Sequence, residues 1–165
     1  MKKNELFSEI DKTVTELLDM VFYLDSNKIN TVPYKDSWTA AQLLRHVTKS
    51  TIGMTRAMDA AYLHPEREPD ARLPELQKVF LDFTVKLNAP EFIIPEDGPY
   101  EKDHSMQELK NAFNKLKEHA GKTDLDSLVE GLPLGSITKL EIVHFIFYHL
   151  RRHLIQMKRI TEALK

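Results

Sequence analysis

The chain contains no cysteine. That absence excludes disulfides, thiolate-held zinc and cysteine nucleophiles together, so a metal here must be held by histidine, carboxylate, amide or water. Glycine is scarce, with five in 165 residues, and no glycine-rich loop of the phosphate-cradling kind occurs. No apolar run approaches the roughly 18 residues of a membrane span. The Met-Lys-Lys-Asn-Glu start leads into a charged amphipathic pattern, not a secretory signal, so the cytoplasm is the expected location. Neither sign of charge dominates: 23 basic residues face 25 acidic ones, mixed along the chain, for a net charge of −2. Nucleic acid and membrane are therefore not expected as partners.

What is present reads as one globular domain over residues 1–165. Leu6, Phe7, Ile10, Val14, Leu17, Leu18, Val21 and Leu24 recur at helical spacing. An extended link through Thr31-Val32-Pro33 follows. A second helix opens at Trp38-Thr39-Ala40-Ala41-Gln42, where Thr39 and Gln42 form a capping box, and runs to about Tyr62. Residues 63–74 are a proline-containing loop, and Glu75–Leu87 is a candidate short helix. The stretch from Ala89 to Pro99 holds three prolines and cannot be a regular helix; Phe92, Ile93 and Ile94 are expected to pin it to the core. A third main helix is expected from Ser105, capped with Glu108, to Gly121. The last helix starts at Thr138 and Glu141 and runs close to the C-terminus. No strand alternation is convincing. The expectation is an all-α four-helix bundle with a long central crossover.

Most of the chemistry in this chain lies in its seven histidines. His149 and His153 stand four residues apart, on one face of the last helix, with β-carbons about 5–6 Å apart. That face otherwise reads Thr138, Ile142, Phe145, Ile146, Gln156 and Ile160, so two polar rings interrupt an apolar stripe. Buried polar groups need partners, and a metal is one candidate. His144 points about 140° away from His149 at 100° per residue and cannot share its site. His64, His104 and His119 lie in loops or near helix ends and read as solvated surface. His46 lies on a face of the second helix with Gln42, Leu43, Ser50, Gly53 and Ala57, unusually small beyond the histidine. Three ligands with an open position are typical of catalytic zinc, and His46 with His149 and His153 would supply that set. The competing reading makes all three core histidines, hydrogen-bonded to Gln42, Gln156 or backbone carbonyls. Leu150 follows His149 where a metalloprotease helix needs glutamate, which argues against a zincin. Ser50, one turn from His46, reads as coincidence, not as a nucleophile.

Two segments carry a resemblance. Trp38-Thr39-Ala40-Ala41-Gln42-Leu43-Leu44-Arg45-His46-Val47 and Leu140 to Gln156, with its Tyr148-His149-Leu150-Arg151-Arg152-His153 centre, resemble the DinB/YfiT-like superfamily of bacterial four-helix bundles. The resemblance covers nearly the whole chain in helix order. It implies a divalent metal, zinc or nickel, on His46, His149 and His153. It also implies an activity class, because the family contains metal-dependent transferases that add low-molecular-weight thiols such as bacillithiol or mycothiol to electrophiles. On that reading the thiol is a co-substrate, and Ser50, Gly53 and Ala57 leave room for the electrophile. Gln42 and Gln156 orient an imidazole or a water, and Arg152 holds an anionic group. No catalytic residue is assigned. Two alternatives stay open: a metal-stabilised bundle without turnover, and a metal-assisted hydrolase. Phe147, Tyr148, Leu154 and Ile155 make the outer side of the last helix apolar too, from which a homodimer is expected.

Overall fold

The structure is a computed structural model that describes residues 3–60 and 63–165. Four long helices form the bundle: α1 (Lys3–Phe22), α2 (Ala40–Ala57), α4 (Lys102–Lys122) and α5 (Lys139–Ala163). α1 packs on α4 and α5, and α2 packs on the same two, so the helices close a ring around one core. The crossover from α2 to α4 carries the short helix α3 (Leu73–Phe80), which lies on α5, and one 3-10 turn, Glu91–Ile93, which lies on α2. A two-residue antiparallel pair, β1 (Leu128–Val129) with β2 (Ile137–Thr138), closes the α4–α5 connection. Pairing this short leaves no alternation to detect in a sequence.

Helix starts follow local chemistry. The Thr39–Gln42 and Thr138–Glu141 capping boxes both form, each satisfying free helix-end amides reciprocally. The expected box at Ser105 does not. Helix α4 begins three residues earlier, because the Glu101 carboxylate accepts from the amides of Asp103 and His104. Ser105 instead sits inside the helix and donates its hydroxyl to the Glu101 carbonyl. The helix expected over Glu75–Leu87 is shorter and earlier, with Pro74 in its first turn, where a missing amide hydrogen costs nothing. α2 ends at Ala57, and the expected end near Tyr62 falls outside the described residues.

α1 buries a single stripe, Leu6, Ile10, Val14, Leu17 and Val21. α5 is different, since it is buried on nearly every side from Glu141 to Leu150. Phe147, Tyr148 and Leu154 are covered within the chain itself, and Ile155 is half-buried. Glu141 is fully buried at the head of α5. It accepts two bonds from the Arg67 guanidinium at 2.7 Å and one each from the amides of Arg72 and Thr138. Burial works to raise its carboxyl. The Arg67 guanidinium and the two amides outweigh that and hold it below the usual carboxylate range. This one side chain ties the start of the crossover to the helix that carries two of the three clustered histidines.

Candidate metal centre

His46 projects from α2, and His149 and His153 from successive turns of α5. Their Nε2 atoms stand 3.1, 3.1 and 3.0 Å apart, and each ring is buried. Aromatic rings wall the cluster. Trp38 lies 4.8 Å from His46 between ring centroids, and Phe145 lies 5.6 Å from His149, with Phe80 packed edge-on against Phe145.

The outer nitrogens fix the tautomers. His46 Nδ1 donates to the Ile93 carbonyl at 2.9 Å, and His153 Nδ1 donates to Gln156 Oε1 at 2.9 Å. Each ring so bound is neutral with its proton on Nδ1, and its Nε2 lone pair points inward. Two lone pairs thus face each other at 3.1 Å, and a neutral His149 has at most one Nε2 proton to offer the two of them. A cation would resolve this, and the corners of such a triangle lie about 1.8 Å from its centre, within the roughly 2.0–2.1 Å of a zinc–imidazole bond, so His46, His149 and His153 would together hold one ion. The three histidines form a cluster that could hold a metal ion. No carboxylate joins it among the described residues.

Burial keeps these rings in the neutral form that ligates metal. Desolvation is the largest influence on all three. It lowers His46 against the upward pull of the Ile93 carbonyl, takes His153 down to about 3, and puts His149 well below the usual imidazole value, helped by its two histidine neighbours.

The open side of the cluster faces a cavity of about 1540 Å³. Ser50 and Gly53 line it beside the histidines, and a Cβ built on Gly53 meets nothing within 4 Å. Gln156 touches His153 directly. Gln42 faces away, with its Oε1 accepting from the Thr39 amide in the capping box, and the Ile93 carbonyl takes the place beside His46. Arg152 lines the cavity, but its guanidinium donates to the carbonyls of Asp82, at 2.7 Å, and Val85. It straps the segment after α3 to α5. His144 is buried apart from the cluster against Tyr148 and the Leu140 carbonyl.

The proline-punctuated segment forms a wall of the site, although not by the means expected. Phe92 and Ile94 are exposed, and Pro95 is the buried residue. Polar bonds to α2 hold the segment instead: His46 to the Ile93 carbonyl, Lys49 to the Ile94 carbonyl, and Lys49 and Arg45 to Glu96. Those cations, Lys49 foremost, hold the Glu96 carboxyl down to about 2. Sequence reasoning missed the Ile93 carbonyl because a backbone acceptor leaves no residue-type signal.

A ring of four helices with three buried imidazoles converging from two of them defines a helix-bundle protein with a candidate metal centre. Comparison with known proteins gives the family. The family model for the DinB superfamily matches residues 9–157, and the chain belongs to that superfamily. It is similar to the uncharacterized protein YuaE of Bacillus subtilis (strain 168), at 29% identity over 153 residues, covering 86% of this chain and 88% of the relative. Among solved structures it is similar in fold to TT2238, a four-helix bundle protein, with a TM-score of 0.62 at 15% identity, covering 95% of this chain and 98% of that one.

Proposed function

We propose that His46, His149 and His153 bind a divalent metal, zinc or nickel, and that the protein is a metal-dependent transferase that adds a low-molecular-weight thiol to a small electrophile. The observation that carries the reading is the set of inward Nε2 atoms, short of protons and open to a large cavity on one side. A metal held there lowers the pKa of a bound thiol and supplies thiolate near neutral pH. The chain's own residues do the rest. Ile93 and Gln156 keep two imidazoles in the ligating tautomer and orientation. Trp38, Phe80 and Phe145 exclude water from the histidines, and Ser50 and Gly53 leave space for the acceptor.

The test has two stages. Elemental analysis of untagged protein is expected to give close to one metal per chain, lost in His46→Ala and in His149→Ala. Equal metal in all three would remove the centre. The metal-loaded protein is then assayed with several thiols against a panel of electrophiles. Addition above background that disappears in His149→Ala supports the transferase. Full metal occupancy with no addition for any thiol favours a metal-stabilised bundle without turnover, in which the ion acts only by binding the folded state.

A further inference from the structure

The clustered histidines differ in what orients them. His153 takes its orientation from its own helix, through Gln156 three residues along. His46 takes it from the crossover, because the Ile93 carbonyl that accepts from its Nδ1 is 47 residues away in the chain. Such a carbonyl orients the ring only as well as its own segment is held. The turn Glu91–Ile93 holds the Ile93–Ile94 peptide from one side, since the Ile94 amide donates to the Glu91 carbonyl at 3.1 Å. Apolar burial contributes little: Phe92 is 65% exposed and Ile94 45%, with Pro95 the buried residue.

Two side chains hold the segment from the other side. Lys49 lies three residues beyond His46 on α2, and its ammonium donates both to the Ile94 carbonyl and to Glu96 Oε1, each at 2.9 Å. Glu96 Oε2 accepts from Arg45 Nε at 3.2 Å, so both carboxylate oxygens bind the helix that carries His46. Beyond it, the Tyr100 hydroxyl donates to the Glu96 carbonyl at 2.7 Å, and Asn30 bonds the Tyr100 amide and carbonyl, both at 2.8 Å. The donors on α2 are thus Arg45, His46 and Lys49, and the acceptors are the carbonyls of Ile93 and Ile94 and the Glu96 carboxylate. One of those donors is a candidate metal ligand.

We infer that Lys49 and Glu96 are positioning residues of the metal centre, which clamp residues 93–96 on α2 and so hold the Ile93 carbonyl against His46. The inference rests on the proposed metal centre. A partner on the outer imidazole nitrogen sets the ring's orientation and raises its basicity as a ligand. The Nδ1 hydrogen, in turn, donates more strongly when Nε2 carries a metal. Docking of the segment and metal binding therefore favour each other by the same factor. The sign at Lys49 separates this from plain electrostatics. A cation near a metal opposes it through space, so loss of the charge alone would tighten metal binding. Loss of the clamp weakens it.

The test uses metal-stripped protein and zinc(II), with affinity read by competition with a chromophoric chelator. Lys49→Met and Glu96→Gln are each expected to weaken zinc about fivefold, within the range for residues that modulate coupling between sites. The Glu96 side chain is 57% exposed, so the metal-free Tm is expected to move little. Lys49→Arg keeps a cation that reaches the same acceptors and is expected to restore near-parental affinity. The double variant Lys49→Met, Glu96→Gln is expected to fall short of the product of the two single losses, because both act through one segment. Lys117→Met breaks an exposed 2.6 Å pair with Asp11, between α4 and α1, and as the control is expected to leave zinc affinity unchanged. Amide exchange of residues 91–97 gives the reciprocal readout: zinc is expected to slow it in the parent, and by a smaller factor in Glu96→Gln. Tighter zinc in Lys49→Met, unchanged affinity in both single variants, or a loss equalled by Lys117→Met overturns the inference and leaves the metal centre standing. Absence of zinc binding in the parent refutes the metal centre, and the inference with it.

Discussion

Replacing Glu141 by alanine is expected to destabilise the protein by about 3–5 kcal/mol, the range for breaking a buried ion pair. The carboxylate is fully buried and accepts four hydrogen bonds, two from Arg67 and one each from the Arg72 and Thr138 amides. Loss of the bonds to a charged group costs about 1.5–3 kcal/mol, and the orphaned Thr138 amide adds about 1–3 kcal/mol. These terms overlap, since Arg67 is partly exposed and regains water, so the total settles near the buried-pair range. For a domain of this size each kcal/mol lowers Tm by about 2–4 °C, so the midpoint falls by roughly 6–20 °C. The control is Glu75, whose 3.0 Å pair with Arg72 is exposed; Glu75→Ala is expected to cost about 1 kcal/mol or less. Urea denaturation at pH 7, with calorimetry for Tm, measures both. Glu141→Gln is expected to fall between them, because glutamine closes the same box on α2 at Gln42. The sign with pH follows from a carboxyl held below its ordinary value. Its contribution is complete above the unfolded value of 4.5 and is lost as pH falls through the lower folded one, a loss that Glu141→Gln does not show. A cost for Glu141→Ala no greater than for Glu75→Ala would refute the reasoning.

Three further outcomes are expected. Gln156→Ala removes the acceptor on His153 Nδ1 and weakens metal affinity about 10–100-fold by competition with a chromophoric chelator, with little change in metal-free stability; an unchanged affinity counts against the orienting role. Metal-free protein loses stability as pH drops below 6.5, because unfolded histidines take up protons there while burial keeps His149 and His153 neutral and lowers His46 and His144; each adds up to about 1.4 kcal/mol per pH unit, and a flat profile between pH 6.5 and 5 by urea denaturation contradicts the burial of His149 and His153. Gly53→Ala is expected to raise stability by about 0.5–1 kcal/mol, since the position is helical and an added methyl meets nothing within 4 Å; destabilisation would show that the cavity is closed there.

The three clustered histidines were legible because two come from a period-four spacing on one helix and the third from a face of small residues. Two helix starts, Thr39 and Thr138, were legible for the same reason, since a capping box is closed by residues three apart. The box at Ser105 was misplaced because a competing local signal, the Glu101 carboxylate, captures the free amides one turn earlier. Phe92 and Ile94 were expected inside because they are apolar, yet the segment is fastened by polar bonds to α2. Composition does not reveal such bonds.

By itself the sequence determined the helical class, the four main helices, the absence of thiolate chemistry and the imidazoles available to a metal. Those properties depend on residue type and on spacings of a few residues, where chain connectivity alone sets the geometry. Only the tertiary structure decided that three Nε2 atoms meet within 3.1 Å, that Ile93 and Gln156 fix two tautomers, and that Arg152 is bound to backbone. It also decided that side chains from α2, α3, α5 and the crossover line one cavity over the histidines. The contacts of His46 with Ile93, His149 and His153, and of Arg152 with Asp82, join residues 47 to 107 positions apart, and packing of the helices, not local preference, brings such residues together.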